Sequence, residues 1–277
     1  MRKITIAYSP DTDDAFMVHA MKAGLIDCKG LNLEFINADI EHLNNEAIKG
    51  TYDITAISIA AYPDIANNYK MMAVGASIGD NFGPAVVVNE DSEIQTPNEL
   101  AGKNVAVPGK HTSAFFAAMD LFGPFNPVFC RFDNIENAVK ENKAAAGILI
   151  HEPQLTCEII GLRKIADLGQ LWQDKYKLPL PLGANAIKRD LGQELINTLE
   201  EVYKNSIEYA LANRNIMIEK ANQAAITPLP FHMAEQYIEQ YVNQRSLELH
   251  DDVQAGMLKL FESGLKFGLT ASIPDIH

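Results

Sequence analysis

A histidine ends an aliphatic run in the segment GILIHE. Ile148 to Ile150 are typical of a buried strand, whereas His151 and Glu152 are residues that protein cores rarely accommodate. Because the pKa of an imidazole lies near neutrality, a histidine at the edge of a water-poor cleft can accept a proton and return it. We therefore take His151 as the candidate general base. A strand-end histidine bonded to a backbone carbonyl is the alternative, and Glu152 is a candidate partner for its ring, although adjacent strand residues point to opposite faces.

The segment VPGKHTSAFF combines a glycine turn with a predicted helix start. It departs from the phosphate-loop pattern, because Asn104 and His111 stand where that pattern requires a glycine and a hydroxyl side chain. The first backbone N–H groups of the helix, near Thr112, Ser113 and Ala114, can nevertheless hold an anion such as a carboxylate. A capped helix without a ligand is the commoner arrangement.

Three aspartates follow the first predicted strand in the segment SPDTDDAF. Asp11, Asp13 and Asp14 occupy a place at which α/β enzymes often carry acids, and a phosphatase-type loop or a magnesium site is conceivable. We favour a helix N-terminus whose dipole stabilises carboxylates, since no later acidic group completes a metal site. Ser58 and Asn44, taken singly, are consistent with caps or turns. The histidines show no spacing typical of metal ligands.

Strands and helices alternate along the predicted chain in two separate series. The first comprises KITIAYSP, DTDDAFMVHAMKAG, LNLEFINAD, HLNNEAIKG and YDITAISIAAY, and the second begins at KNVAVPGKHTSAFF and continues to AGILIHE. This alternation predicts parallel sheets that bind ligands at their carboxyl edges. From Leu195 onward, apolar residues at helical spacing predict helices that pack back on the first series.

Two such series predict an α/β protein of two lobes with a ligand cleft between them. We expect residues 1–86 and 186–277 to form the first lobe and residues 87–185 to form the second. The chain would cross between the lobes near residues 84–90 and 179–188, and prolines stiffen the second crossing.

Composition favours a small-molecule ligand. The 277 residues include 36 acidic and 23 basic side chains, a formal net charge of -13, which disfavours nucleic acid and anionic membranes as partners. Cys28, Cys130 and Cys157 are too few and too widely spaced for a disulfide framework or a thiolate zinc site. With neither a signal-peptide pattern nor a long apolar run, the sequence predicts a cytoplasmic protein with reduced thiols.

Several segments together carry a resemblance that extends over nearly the whole chain. The longer ones are VPGKHTSAFF, GILIHE, ADLGQLWQDKYKLPLPLGANAIKRDL and YVNQRSLEL, and the weaker ones are AYSP, DIEHLNNEAIKG and SIAAY. They resemble the menaquinone-biosynthesis family, and most closely its branch that converts cyclic dehypoxanthinyl futalosine to 1,4-dihydroxy-6-naphthoate in the futalosine pathway. The resemblance implies a type II periplasmic-binding-protein-like fold and a cytoplasmic carbon–carbon lyase that needs no metal or organic cofactor.

The resemblance also implies site residues. His151 takes the position of the proton acceptor. The residues expected to hold an anionic substrate from the two walls of the cleft are Asn44, Ala56, Ile57, Ser58, Thr112, Ser113 and Ala114.

Two departures from the family pattern bear on the substrate. The family usually has S-P-C-P-N-D-T-F where this chain has SPDTDDAF, and K-L-S where it has Ala56, Ile57 and Ser58. Both changes remove support for an anion from the first lobe, so either Lys110 and His111 compensate or the ligand differs.

Two other functions remain open at this point. A protein of the same fold that binds or senses a small carboxylate would need no titratable group at His151, and replacing His151 would change affinity alone. A chorismate dehydratase-like enzyme is the second alternative. The histidine of GILIHE argues against it, because that branch lacks a histidine after the corresponding strand.

Overall fold

A computed structural model describes residues 3–276 of the chain. Eleven strands are present in this range: β1 (Lys3–Tyr8), β2 (Asn32–Asn37), β3 (Ile54–Ser58), β4 (Tyr69–Met71), β5 (Ser77–Gly79), β6 (Ala85–Asn89), β7 (Asn104–Val107), β8 (Asn126–Phe129), β9 (Ala146–Leu149), β10 (Leu162–Asp167) and β11 (Leu180–Lys188). Eleven α-helices accompany them: α1 (Thr12–Lys22), α2 (Ile40–Lys49), α3 (Tyr62–Ile65), α4 (Ser113–Phe122), α5 (Ile135–Lys140), α6 (Pro153–Thr156), α7 (Leu168–Tyr176), α8 (Gln193–Ala212), α9 (Arg214–Ala224), α10 (Phe231–Tyr241) and α11 (Asp251–Lys266).

The strands form two separate sheets. The first has the order β2-β1-β3-β11-β4, with β5 also paired to β11, and the second has the order β10-β6-β9-β7-β8. Strands β1, β2 and β3 are mutually parallel, as are β7, β8 and β9. Each of these series alternates with helices, which gives parallel strands the long crossovers they need.

Strands β6 and β11 depart from the parallel arrangement that the sequence predicts. Strand β11 runs antiparallel to β3, β4 and β5, and β6 runs antiparallel to β9 and β10. Both β6 and β11 come directly from the other sheet, so no crossover helix within their own sheet sets their direction. The two sheets are therefore mixed.

The chain passes between the sheets twice. It leaves the first sheet after Gly79 and enters the second at Ala85, and it returns through α7 to β11. The predicted crossings overlap β6 and β11, and the predicted division into lobes remains a proposal. Gly169 at the start of α7 lies against the first passage, where a Cβ atom would overlap the Phe82 carbonyl oxygen. The two passages are thus packed side by side.

The C-terminal helices complete the apolar core. Helices α8, α9 and α10 pack against α1, and α8 buries Leu199, Val202, Tyr203 and Ile207 at helical spacing. Helix α11 packs against β11 of the first sheet and against α4, the helix that follows β7 of the second sheet. Within residues 3–276, no helix combines the length and apolar character needed to cross a membrane.

Candidate functional site

A cleft opens where the carboxyl ends of β1, β3, β7 and β9 meet. Counted out to the solvent at its mouth, it encloses about 660 Å³. The N-termini of α1 and α4, the middle of β11 and one face of α10 supply the rest of its lining. The two sheets therefore both contribute to one site.

His151 faces this cleft from just beyond β9. Its backbone φ is +66°, a left-handed conformation that few non-glycine residues adopt and that is often found at functional sites. The ring is buried, its Nδ1 lies 2.5 Å from Asp11 Oδ2, and it stands edge to face with the Phe132 ring, the centroids 4.5 Å apart. No protein atom of the described residues bonds to Nε2. One ring nitrogen is thus held while the other remains free to react.

The electrostatic surroundings favour the protonated form of His151. Burial lowers the pKa of the ring, but the charge and hydrogen bond of Asp11, together with the charge of Glu152, outweigh it and raise the pKa to about 9. The ring is consequently an imidazolium at neutral pH, paired with the Asp11 carboxylate.

Glu152 has a different partner from the one suggested by its position next to His151. Its Oε1 accepts hydrogen bonds from the backbone N–H, at 2.8 Å, and from the hydroxyl of Thr12, at the start of α1. The side chain that orients His151 is Asp11, which lies 140 positions away in the chain. Glu152 instead ties the segment after β9 to α1.

Asp13 and Asp14 also line the cleft. Asp13 Oδ2 accepts a hydrogen bond of 2.8 Å from the Ser77 hydroxyl, and Asp14 Oδ2 accepts one of 2.8 Å from the Ser9 backbone N–H. Burial and the charge of Asp11 raise the pKa of Asp14 to about 6, and burial with the charges of Asp14 and Asp11 raises the pKa of Asp13 well above its usual range. Asp13 and Asp14 are therefore both more easily protonated than a solvent-exposed aspartate.

The N-terminus of α4 forms the opposite wall, as the sequence predicts for the glycine turn before it. Thr112, Ser113 and Ala114 line the cleft there. The Thr112 hydroxyl donates to the Gly109 carbonyl at 2.9 Å, and the Ser113 hydroxyl donates to the Leu182 carbonyl at 2.7 Å. Because both hydroxyls are engaged within the protein, the backbone N–H groups are the donors this wall offers to an anion.

The remaining predicted residues lie on the side of the first sheet. Ala56, Ile57 and Ser58 line the cleft at the end of β3. Asn44 lies behind them and is fully buried: its Oδ1 accepts from the Ser58 backbone N–H at 2.8 Å and its Nδ2 donates to the Ser58 hydroxyl at 3.1 Å. Asn44 thus acts on the cleft through Ser58.

Lys110 and His111 contact Glu41 of α2. The Glu41 carboxylate accepts from the backbone N–H groups of Lys110 and His111, at 3.1 and 3.2 Å, and lies 2.9 Å from His111 Nδ1. A Cβ atom on Gly109 would overlap the same carboxylate. These groups therefore join the two walls of the cleft, which leaves His111 engaged by Glu41 rather than free to offset the acidic loop.

Replacing Glu41 by alanine is expected to weaken the contact between α2 and the loop before α4. It removes charge-assisted hydrogen bonds from two backbone N–H groups, so we expect KM for the ligand to rise by about tenfold. The radius of gyration of the variant, measured by small-angle scattering, should exceed that of the parent protein. The exposed Glu93→Ala variant is the control, and equal values for all three proteins would contradict the prediction.

Folding stability should depend on pH through His151. A pKa raised from 6.5 to about 9 in the folded state means that the folded protein binds this proton more tightly, so the stabilisation is fully present below pH 6.5 and lost as pH rises through 9. The loss should be about 3 kcal/mol. Urea unfolding of the parent and of His151→Gln at both pH values measures it, and an equal pH dependence in the two proteins would exclude this origin.

The fold and the cleft define a class of protein. Two mixed sheets, joined by two chain passages and facing each other across a ligand-sized cleft, confirm the predicted two-lobed α/β fold of the periplasmic-binding-protein type. The structure is similar to that of the alkanesulfonate-binding protein of Xanthomonas axonopodis pv. citri, with a TM-score of 0.74, 15% identity, and coverage of 98% of this chain and 94% of that one. At this identity the similarity concerns the fold alone.

Nearer relatives identify the family. The sequence profile described as menaquinone biosynthesis matches residues 4–265. A 1,4-dihydroxy-6-naphthoate synthase from Thermus thermophilus is 33% identical over 99% of this chain and 98% of its own. A structure of a protein from Archaeoglobus fulgidus has a TM-score of 0.89 and 38% identity over 96% of this chain and 98% of that one. The chain belongs to the menaquinone biosynthesis family, as its motifs predicted.

Proposed function

We propose that this protein is a lyase that converts cyclic dehypoxanthinyl futalosine to 1,4-dihydroxy-6-naphthoate by proton transfer at His151. The observation that carries the proposal is a buried imidazole that lines the cleft, with Nδ1 paired to Asp11 and Nε2 without a partner among the described residues. The name of the Thermus thermophilus relative supports this function over ligand sensing and over a chorismate dehydratase activity.

His151 would transfer the proton through Nε2. Asp11 holds Nδ1, which fixes the ring orientation and stabilises the imidazolium that forms when Nε2 accepts a proton. With a pKa of about 9, about one ring in a hundred is neutral at pH 7. The neutral form is a strong base because of the same pairing, and the rate should reflect both its strength and its small population.

The substrate carboxylate would bind at the start of α4. The backbone N–H groups around Ser113 and Ala114 lie in the cleft wall, at the positive end of the α4 dipole. Asp11, Asp13 and Asp14 lie at the α1 end. We propose that the α4 wall receives the anion, and that the neutral ring system of the substrate extends toward His151.

The remaining features of the function are part of the same proposal. The bond that breaks would be a carbon–carbon bond, and the reaction would need no metal or organic cofactor. Among residues 3–276, no three His, Cys, Asp or Glu side chains are grouped as metal ligands. We place the enzyme in the cytoplasm, where a soluble anionic intermediate is available.

A direct assay tests the proposed function. Purified protein is incubated with cyclic dehypoxanthinyl futalosine in the presence and absence of a chelator, and 1,4-dihydroxy-6-naphthoate is followed by chromatography. We expect product in both conditions. A folded protein that binds the compound without forming product would indicate a sensor, and one that neither binds nor converts it would contradict the substrate assignment.

A further inference from the structure

Three polar atoms of residues that line the cleft have no hydrogen-bond partner among the described residues: Ser9 Oγ, His151 Nε2 and Asp13 Oδ1. The role of His151 Nε2 is given above, but Asp13 has none in that mechanism. Asp13 is buried, with only 6% of its surface exposed. Since buried polar atoms are rarely left unpaired in proteins, Oδ1 is placed to meet a polar atom of the ligand.

The contacts of Asp13 define where its proton lies. Oδ2 accepts the hydrogen bond from the Ser77 hydroxyl, so a proton on this carboxyl group occupies Oδ1. The group then presents a donor to the cleft, much as an amide would.

The surrounding charges favour this neutral form. Asp11 and Asp14 face Asp13 from its own helix, and burial with these two carboxyl groups raises the pKa of Asp13. The Ser77 hydrogen bond and the His151 charge act in the opposite direction but are weaker. From the helices packed behind the cleft, the neutral phenols Tyr203, Tyr237 and Tyr241 add no positive charge.

We propose that Asp13 is a ligand-binding residue that acts as a neutral carboxylic acid, donating a hydrogen bond from Oδ1 to a carbonyl or anionic oxygen of the substrate. The proposal rests on the function proposed above and adds a residue and a ligand chemistry to it. It also explains how an acidic loop can face an oxygen-rich ligand without repelling it. When Asp13 ionises at high pH, the donor is lost and a repulsive charge replaces it.

Kinetic measurements on two variants test the hydrogen bond. Asp13→Asn keeps a neutral donor, so KM should stay within about threefold of the parent value, and the rise of KM at alkaline pH should disappear. Asp13→Leu removes the donor, so KM should rise by about ten- to a hundredfold. The exposed Asp64→Asn variant is the control. Unchanged KM in Asp13→Leu, or equal losses in Asp13→Asn and Asp13→Leu, would overturn the proposal while leaving the reaction itself established.

An infrared measurement on the ligand-free protein is independent of the reaction. At neutral pH, the parent protein should show the carbonyl band of a protonated carboxyl group that is missing from Asp13→Asn and retained in Asp64→Asn. If the parent protein shows no such band that Asp13→Asn lacks, Asp13 is ionised and the proposal is wrong, whether or not the protein makes 1,4-dihydroxy-6-naphthoate. A band that is present while no conversion occurs would refute the proposed function alone.

Discussion

Replacing His151 by alanine should lower kcat for naphthoate formation by about two to four orders of magnitude, as expected for the loss of a general base. KM should change little, because the proposed binding site for the substrate carboxylate, the N-terminus of α4, is the same in both proteins. Single-turnover assays at pH 8, with the product quantified by chromatography, measure the effect. The variant removes a buried charge together with its ring, so its folding is checked by thermal unfolding.

Two further variants separate proton transfer from packing. His151→Gln keeps much of the side-chain volume and a polar end but cannot cycle a proton, so it should be as slow as His151→Ala. His232→Ala changes an exposed histidine and should retain parent activity. Turnover close to the parent rate in a folded His151→Gln protein would remove His151 from the mechanism.

The Asp11→Asn variant should shift the pH dependence of catalysis toward acid. In the parent protein, kcat/KM should rise with pH up to an inflection near 9, the pKa of His151 in the free protein, because only the neutral ring accepts a proton. Asparagine can still accept the Nδ1–H bond, but it lacks the charge that opposes the effect of burial. The inflection should therefore move down by about one to three pH units.

The same substitution should also reduce the rate at the alkaline plateau. A ring with a lower pKa is a weaker base, so we expect kcat there to fall by about ten- to a hundredfold. Asp27→Asn, an exposed substitution of the same chemical type, is the control and should leave the profile unchanged. An inflection that stays near pH 9 in Asp11→Asn would show that another group sets it. If kcat/KM of the parent protein instead fell as the pH rose through 9, the imidazolium would be the catalytically active form.

Local patterns in the sequence were sufficient to predict the two strand-and-helix series and the position of His151 at a strand end. Alternation of apolar residues indicates strands at β1 and β3, although all five residues of β3 are buried, and the residues before α4 and after α2 mark helix ends. The direction of β6 and β11 was not predictable in this way. It depends on which sheet each strand joins after a passage between the lobes, and hydrophobic periodicity is the same for either direction.

The residue that orients His151 was also not predictable from local sequence patterns. Sequence proximity suggested Glu152, whereas the structure pairs the ring with Asp11. The interpretation of Asp11, Asp13 and Asp14 as dipole-stabilised caps was local and missed their common exposure to the cleft. Only the packing of α1 against the segment after β9 brings these groups together, and no spacing within SPDTDDAF encodes it.

Glu41 of α2 binds groups that the sequence analysis considered for the ligand. Lys110 and His111 were possible counter-charges for an anionic ligand, because their types suit that role. The structure gives their backbone N–H groups, and one ring nitrogen of His111, to Glu41. Residue type predicts what a side chain can bind, but the choice between a ligand and a neighbouring carboxylate is made by tertiary packing.

Two of the unpaired atoms, Nε2 of His151 and Oδ1 of Asp13, also determine which molecules the cleft should reject. An analogue of matching shape that lacks the facing oxygen or hydrogen would seal these atoms from water without offering them a partner. Sites built in this way discriminate against such analogues by about four orders of magnitude or more, whereas apolar pockets distinguish a missing methylene by about ten- to two-hundredfold. Selectivity in this protein should therefore follow the polar pattern of a ligand more closely than its size.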